Sequence, residues 1–173
     1  MVAEYSIAVA EVSDLEALVD LYEMVAAEGK WIAGELPVDR DERVARWRSQ
    51  LGVPGTVQLL ARRDQGQLIG SLSVNVQRGI ADLGMMVHRD WRGRGVGSAL
   101  MRTAIEWARE QAAHKMVLTV WPHNASARAL YRRFGFQDEA LFLRHYRRRN
   151  GELWDAVGMG LVLDTESPGC PYT

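Results

Sequence analysis

The spacing of apolar residues predicts four amphipathic helices and seven strands along this chain. Helices are expected where apolar residues recur every three or four positions, and the first one follows a capping-box pattern, Ser13-Asp14-Leu15-Glu16. Further helices are predicted from about residue 39, over 98–111, and after Asn124, the last ending at Gly135. Alternating or wholly apolar runs bounded by turn residues predict strands. These strands cover 5–9, 57–62, 68–76, 81–87, 116–120, 136–148 and 153–163.

The order of these elements predicts the sheet. Turn signals at Asp64-Gln65-Gly66 and Asn150-Gly151 join neighbouring strands as antiparallel hairpins. Because a helix separates strands 81–87 and 116–120, we expect that pair to be parallel. Gly84, inside an apolar run, indicates a bulge or a close backbone approach. The sequence thus predicts one α/β domain over 1–163, with a mixed, mostly antiparallel sheet flanked by helices and a loose tail over 164–173.

A segment rich in glycine and arginine, Arg92-Gly93-Arg94-Gly95-Val96-Gly97-Ser98, precedes the third helix. Glycines let successive N–H groups point into one concavity, and the helix adds the positive end of its dipole. This pattern predicts a phosphate or pyrophosphate site, which the arginines strengthen; a plain strand–helix turn is the alternative. A dinucleotide fingerprint fails, because the glycines lack its spacing and the next strand ends Val120-Trp121-Pro122 without an acidic residue.

Composition narrows the class of protein. The chain has 173 residues and a net charge of −1, so no general attraction to nucleic acid is expected. Its one cysteine, Cys170, excludes an internal disulfide framework, and the histidines (His88, His114, His123 and His145) show no metal-ligand spacing. No apolar run approaches about 18 residues, and the N-terminus lacks a signal-peptide pattern. We therefore expect a cytoplasmic protein without a metal and without nucleic-acid or membrane partners.

Two motifs together resemble the signatures of the Gcn5-related N-acetyltransferase (GNAT) superfamily. The loop 92–97 fits its Arg/Gln-x-x-Gly-x-Gly/Ala pattern, and the run 124–136, NASARALYRRFGF, fits its second signature. One helix and one strand separate the two, as the family requires. The segment 144–159 is similar to bacterial small-molecule and ribosomal-protein acetyltransferases. The resemblance implies the acyl-CoA N-acyltransferase fold, acetyl-CoA as co-substrate, and transfer of its acetyl group to an amine.

The resemblance also implies roles for individual residues. The loop N–H groups would hold the pyrophosphate, the strand 81–87 would pair with the pantetheine arm, and Asn124 would bond that arm near the thioester. Tyr131 would face the sulfur as the catalytic residue. Taken alone, Asn124 is an N-cap and Tyr131 a core aromatic. The implied cofactor-binding residues are Met85, Met86, Val87, Arg92, Gly93, Arg94, Gly95, Val96, Gly97, Ser98 and Asn124.

The chemistry of thioester attack sets what these groups must do. A backbone N–H of strand 81–87 is positioned to stabilise the oxyanion that forms when the amine attacks. A phenol with a pKa of about 10 is a weaker acid than a thiol at about 8.5, so full proton transfer is uphill by about 2 kcal/mol. Tyr131 is therefore expected to act chiefly as a hydrogen-bond donor to the developing thiolate.

The general base and the acceptor site are less specified by sequence. The amine must lose a proton before attack. Thr119 stands where some relatives have a glutamate, so Asp82 and Glu35 are the candidates for the base, and a solvated surface carboxylate is the alternative for each. The loop 29–37 lies where the family builds its acceptor lid, and its Trp31 with Glu35 suits an amine or amino acid; a hydrophobic staple between helices is the alternative.

Four arginines, Arg144, Arg147, Arg148 and Arg149, lie beside the Asn150-Gly151 turn. Strand alternation places Arg147 and Arg149 on one face of the hairpin, opposite Arg148. We interpret this cluster as a solvated hairpin tip, since a nucleic-acid surface would be wider and carry exposed aromatic residues.

The expected function is transfer of an acetyl group to a primary amine through direct attack in a ternary complex. The acceptors that fit are an amino acid, an amino-acid analogue such as phosphinothricin or methionine sulfoximine, or a polyamine. Acetylation of a protein N-terminus or lysine is an alternative, and a non-catalytic acyl-CoA-binding module is another. The resemblance also implies a possible homodimer, since relatives are often dimers.

Overall fold

The computed structural model describes residues 5–63 and 66–166, and no helix within them is long and apolar enough to cross a membrane. The predicted turn residues 64–65, the first four residues and the end of the tail with Cys170 lie outside the described residues. The strands are β1 (Tyr5–Val9), β2 (Thr56–Arg63), β3 (Leu68–Gln77), β4 (Ile80–Val87), β5 (Lys115–Val120), β6 (Gln137–Arg147) and β7 (Leu153–Val162). The helices are α1 (Leu15–Ala26), α2 (Arg40–Arg48), α3 (Val96–Glu110) and α4 (Ala125–Arg133).

The strands form one sheet in the order β1-β2-β3-β4-β5-β7-β6. Among the described strands, β4 and β5 run parallel and every other neighbouring pair is antiparallel. The predicted mixed, mostly antiparallel sheet flanked by helices is therefore confirmed. The parallel pairing covers three positions and ends at Asp82 and Val117. Beyond Asp82 the two strands diverge, which opens a slot in the middle of the sheet.

Apolar side chains form a core on each face of the sheet. On one face, Leu18 of α1 packs with Leu60 of β2. On the other face, Leu100 of α3 packs in a larger core with Met116 of β5. Members of both cores, among them Val25 from the α1 side, line the slot between β4 and β5. The slot is therefore a passage between the two faces of the sheet.

The predicted capping box at 13–16 is wrong. A 3₁₀ turn over Val12–Asp14 precedes α1, and the Asp14 carboxylate accepts a hydrogen bond from the backbone N–H of Glu11 (2.8 Å) and pairs with Arg62. Burial by itself would raise the pKa of Asp14, but the hydrogen bonds from Arg62 and Glu11 lower it below its usual value. The first helix is thus fixed by a contact to β2, which the local pattern does not encode.

The start of α3 and the bulge considered at Gly84 differ from the sequence predictions. Gly95 adopts a left-handed conformation (φ +84°) as the N-cap of α3, so this helix begins at Val96, two residues earlier than predicted. Gly84 forms no bulge, because β3 and β4 keep one register from Gly70↔Val87 to Gln77↔Ile80. Gly84 instead lies beside the slot, where its missing side chain leaves room.

Candidate functional site

A cavity of about 790 Å³ occupies the slot where β4 and β5 diverge. Its walls come from β4, the segment before α3, the helix α4 and the loop over 29–37. A cavity of this size is within the range of sites that hold cofactors and small substrates. The walls bring together most of the residues that the sequence singled out.

The free edge of β4 forms one wall. His88 N donates to Ile69 O on β3 (2.9 Å). Because successive residues of a strand point their N–H and C=O groups to opposite sides, those of every second residue before His88 also point toward β3. Those of Met85 and Val87 therefore face the slot, where β5 no longer pairs with them. Met85, Met86 and Val87 all line the cavity, as the resemblance implied. This edge can pair with an extended ligand as a further strand would.

The glycine loop forms the wall at the N-terminus of α3. Gly93 (φ +75°) and Gly95 (φ +84°) both adopt left-handed conformations that favour glycine. Gly97 is required for another reason: a Cβ there would lie 3.0 Å from Leu130 Cδ2 of α4. Gly93, Gly95, Gly97 and Ser98 line the cavity. The N–H groups of residues 93–98, here called the glycine cradle, are suited together with the helix dipole to bind a phosphate or pyrophosphate.

The side chains of the loop are used differently from the sequence prediction. The Arg94 guanidinium stacks over the Trp91 ring (5.2 Å), and the Val96 side chain is buried in the core, which leaves its backbone N–H for a ligand. Sequence reasoning missed Arg133 at the end of α4, which lines the cavity and donates to Ser98 Oγ (2.8 Å). Its position inside the second signature was the signal that could have found it.

Asn124 caps α4 and lines the cavity at the same time. Its Oδ1 accepts hydrogen bonds from Ala127 N and Ser126 Oγ (3.2 Å each). The cap fixes the orientation of the carboxamide, because only the oxygen can accept from a backbone N–H. Its Nδ2 has no hydrogen-bond partner among the described residues, so one amide can serve both as a cap and as a donor to a ligand.

Tyr131 lies on the buried face of α4 and also lines the cavity. Its side chain packs beside Phe136, with ring centroids 5.9 Å apart. Burial raises the pKa of Tyr131 to about 12, so the phenol keeps its proton well above neutral pH. A phenol in this state can donate a hydrogen bond but is a poor source of a free proton.

Aromatic side chains line the part of the cavity beside the loop 29–37, here called the aromatic end. Trp31, Trp121 and Tyr146 line it, and the last two rings meet edge to face with centroids 4.8 Å apart. The indole N–H of Trp31 donates to Glu28 Oε2 (2.6 Å). Cations of the protein already lie near its ring, with Lys30 Nζ 4.9 Å from the centroid. Trp31 therefore serves the site as an apolar wall rather than as an open cation–π platform.

The two candidate carboxylates lie outside the cavity lining. Glu35 Oε2 accepts from Arg149 N (3.0 Å) and Oε1 pairs with Arg148 Nε (3.3 Å), so the structure ties Glu35 to the β6–β7 hairpin. Asp82 lies at the last paired position of β4, two residues before the cavity-lining Gly84. Burial raises the pKa of Asp82, although a hydrogen bond from the Leu83 N–H opposes this. Asp82 thus lies close to the slot, whereas the Glu35 carboxylate is bonded to the hairpin.

The prediction of a solvated arginine tip is wrong for Arg148. Its side chain is 4% exposed, and its guanidinium donates to the carbonyl oxygens of Gly29, Ile32 and Ala33 (3.2–3.3 Å). It also stacks over the Trp154 ring, 4.4 Å from the centroid. The predicted alternation agrees with the structure, since Arg147 and Arg149 are exposed and Arg148 between them is buried. The solvation prediction failed because the face that Arg148 occupies packs against the loop 29–37, which lies far from it in sequence. Arg148 holds the loop 29–37 in place over the aromatic end of the cavity.

Comparison with known sequences agrees with this geometry. The model of the acetyltransferase (GNAT) family matches residues 18–136. The L-amino acid N-acetyltransferase AaaT of Escherichia coli is 39% identical over 126 residues, which are 67% of this chain and 75% of that protein. The L-methionine sulfoximine/L-methionine sulfone acetyltransferase of Pseudomonas paraeruginosa is 33% identical over 165 residues, covering 92% and 95% of the two chains.

Solved structures give the same fold. A GNAT-family acetyltransferase from Streptococcus pneumoniae superposes with a TM-score of 0.81 at 27% identity, covering 92% of this chain and 100% of that one. A phosphinothricin acetyltransferase from Sinorhizobium meliloti, solved with acetyl-CoA, gives a TM-score of 0.83 at 20% identity, covering 97% and 94%. The glycine cradle, the free edge of β4 and the family match together show that this chain belongs to the GNAT family and is an acetyl-CoA-dependent N-acetyltransferase.

Proposed function

We propose that the protein acetylates the primary amine of a small molecule, an amino acid or amino-acid analogue with an uncharged side chain. The observation that carries this proposal is the aromatic end of the cavity, covered by the loop 29–37 that Arg148 holds. Among the described residues that line the cavity, none is an aspartate or glutamate, so a polyamine would bring further ammonium groups to a site without a counter-charge. The names of the relatives, which act on L-amino acids or methionine sulfoximine, support the same class.

A covered pocket also favours a small acceptor over a protein N-terminus or lysine, which needs an open groove. Of the acceptors expected from sequence, methionine sulfoximine fits this class. Phosphinothricin, whose side-chain phosphinate is an anion at neutral pH, and a polyamine, which carries further ammonium groups, fit less well. The homodimer stays a prediction of the family resemblance, and the cytoplasmic location stays a prediction from the sequence pattern.

The residues of the chain can divide the chemistry among them. Acetyl-CoA supplies the acetyl thioester. The N–H groups of 93–98 suit the pyrophosphate of the same molecule. Met85 N–H faces the slot and can donate to the thioester oxygen, which gains negative charge as the amine attacks. Asn124 Nδ2 can orient the pantetheine arm. Tyr131 keeps its proton and donates a hydrogen bond to the sulfur as the C–S bond breaks.

The proton of the incoming ammonium needs an acceptor. We assign this role to Asp82, acting through water, because it lies on β4 near the slot and its pKa is raised by burial. Thr119 lines the cavity and can orient that water, but its hydroxyl is too weak a base to take the proton itself.

The function is tested by measuring release of free CoA from acetyl-CoA with a panel of amines. We expect turnover with apolar amino acids, methionine sulfone or methionine sulfoximine, and little with spermidine. If none of the amines in the panel causes release of CoA, the non-catalytic acyl-CoA-binding alternative would be favoured. Faster turnover of spermidine than of every amino acid would contradict the proposed acceptor class.

The glycine cradle predicts the effect of Gly95→Val on cofactor binding. Acetyl-CoA at about 100 times its Kd should stabilise the wild-type protein by about 2.7 kcal/mol, seen as a rise in Tm of several degrees. A β-branched residue at φ +84° distorts the turn that presents the N–H groups, so Gly95→Val should lose this rise.

Gly52→Val is the matched control, because Gly52 also has a positive φ (+73°) and open space around it but does not line the cavity. Both variants should have a lower Tm without ligand, and only Gly52→Val should keep the shift with acetyl-CoA. A full shift in Gly95→Val would place the pyrophosphate elsewhere.

The aromatic wall predicts that Trp31→Ala acts on the acceptor. Loss of a large apolar contact should raise the acceptor KM by about tenfold or more, since burying such a side chain is worth about 1.5–3 kcal/mol. The KM for acetyl-CoA should change by less than about threefold, because Trp31 lies outside the glycine cradle. The measurement is steady-state kinetics with each substrate varied in turn; a rise confined to the acetyl-CoA KM would contradict the assignment.

A further inference from the structure

Glu28, just after α1, joins the two ends of the cavity. Its carboxylate accepts two hydrogen bonds from the Arg92 guanidinium, at 2.6 and 2.8 Å, and one from the Trp31 indole N–H at 2.6 Å. Arg92 directly precedes the glycine cradle, and Trp31 belongs to the loop 29–37. The Glu28 side chain therefore contacts both Arg92, next to the glycine cradle, and Trp31, at the aromatic end of the cavity where we place the acceptor.

Arg92, which the sequence predicts as a cofactor-binding residue, lines the cavity and is also bonded to other groups of the protein. Its Nε donates to Val87 O at the end of β4 (3.0 Å), and its other two nitrogens both donate to Glu28. The guanidinium also lies 5.5 Å from the centroid of the Trp31 ring. Arg92 is thus bound to β4, to Glu28 and to the acceptor loop, while the backbone that follows it forms the cradle.

The Glu28–Arg92 contact has the features of a fixed joint. It is bidentate, the strongest geometry available to a guanidinium and a carboxylate. The hydrogen bonds from Arg92 hold the pKa of Glu28 below its usual value, so the carboxylate is charged at neutral pH. The Glu28 side chain is 19% exposed and does not line the cavity. The Glu28–Arg92 ion pair is therefore not explained by a contact of Glu28 with a ligand in the cavity.

We propose that Glu28 is a positioning residue that makes the order of the acceptor loop depend on the cofactor. The proposal rests on the function proposed above. A ligand that fixes the N–H groups of 93–98 also fixes Arg92, Arg92 fixes the Glu28 carboxylate, and Glu28 orients the Trp31 ring against the acceptor. Coupling between two sites requires such a physical connection, and its usual size is about 5- to 150-fold in an equilibrium constant.

The test is hydrogen–deuterium exchange with and without saturating CoA, which needs no acceptor. In the wild-type protein, CoA should slow exchange at 93–98 and, by about fivefold or more, in the loop 29–37. Glu28→Gln keeps the shape of the side chain but breaks the ion pair. Trp31→Phe keeps an aromatic ring but removes the indole N–H. In both variants CoA should still slow exchange at 93–98, and its effect on 29–37 should fall below twofold.

Glu23→Gln is the matched control. Glu23 lies on α1 and, like Glu28, binds an arginine, Arg40 (2.6 Å), but neither Glu23 nor Arg40 lines the cavity. This variant should behave as the wild type. Exchange in the core strand β3 reports whether each variant is folded.

The outcomes separate this inference from the proposed function. Equal slowing of the loop 29–37 by CoA in wild type and Glu28→Gln would overturn the inference, because the ligand would then order the loop by direct contact. Slowing at 93–98 alone in the wild type would overturn it as well and leave the proposed function standing. Absence of slowing at both segments in the wild type would contradict CoA binding itself, and with it both proposals.

Discussion

Replacing Tyr131 by phenylalanine should lower kcat by about ten- to a thousandfold, the range for one positioned proton or hydrogen-bond donor. The variant keeps the ring that packs beside Phe136, so the fold should be retained. It removes the hydroxyl that we assign to the sulfur, and the acetyl-CoA KM should change little because the glycine cradle is intact. Steady-state kinetics with the best amine of the panel gives both values.

Tyr22→Phe is the control for this variant. The Tyr22 hydroxyl accepts a hydrogen bond from Arg43 (3.1 Å) and does not line the cavity, so its loss should leave kcat unchanged. If kcat is unchanged in Tyr131→Phe, in an assay where the chemical step limits the rate, Tyr131 is a core residue without a catalytic role.

The raised pKa of Tyr131 adds a dependence on pH. Its ordinary value is 10.0 and its value in the folded protein is about 12, so between these the folded protein keeps a proton that the unfolded chain loses. The free energy of unfolding should therefore fall as the pH rises through this window. Urea unfolding at pH 10 and pH 12 should show a smaller fall in Tyr131→Phe than in the wild type. An equal fall in both would mean that Tyr131 titrates normally.

Replacing Arg148 by methionine should produce the largest loss of stability. Methionine fills similar space but cannot donate to the three loop carbonyls or pair with Glu35. Breaking a buried ion pair costs about 3–5 kcal/mol, and because Glu35 is partly exposed we expect the lower end, about 3 kcal/mol, or about 6–12 °C in Tm. The acceptor KM should rise in addition, because the loop 29–37 loses its main anchor.

Arg147→Met is the matched control, since Arg147 is adjacent but exposed. Its Tm and its acceptor KM should stay near those of the wild type. Similar shifts in the two variants would mean that charge on the hairpin, rather than the buried contacts of Arg148, decides stability.

The features predicted correctly from sequence are those whose cause is local. The parallel β4–β5 pair follows from a strand–helix–strand order, and the cradle follows from glycines spaced two apart before a helix. Both are properties of residues close in the chain. The mixed sheet and the family could be predicted for the same reason.

The features that the sequence did not predict depend on residues far apart in the chain. Glu28 and Arg92 are 64 positions apart, and Arg148 meets the carbonyl of Ala33 across 115 positions. A charged residue in a polar segment looks solvated until its distant partner is known, which is why Arg148 was assigned to the surface. Glu35 was assigned to the acceptor for the same reason, because its partners on the hairpin were not visible in the local pattern.

The short parallel pairing of β4 and β5 changes how many edges the sheet has. A seven-stranded open sheet has two, here β1 and β6, but beyond Asp82 this one has two more, facing each other across the slot. Unpaired strand edges are sites where other chains add and aggregate. In this protein the cavity along the inner pair is lined by α4, the cradle and the loop 29–37. The walls that we assign to the substrates thus also shield the two strand edges that this divergence creates, and leave β1 and β6 as the outer edges of the sheet.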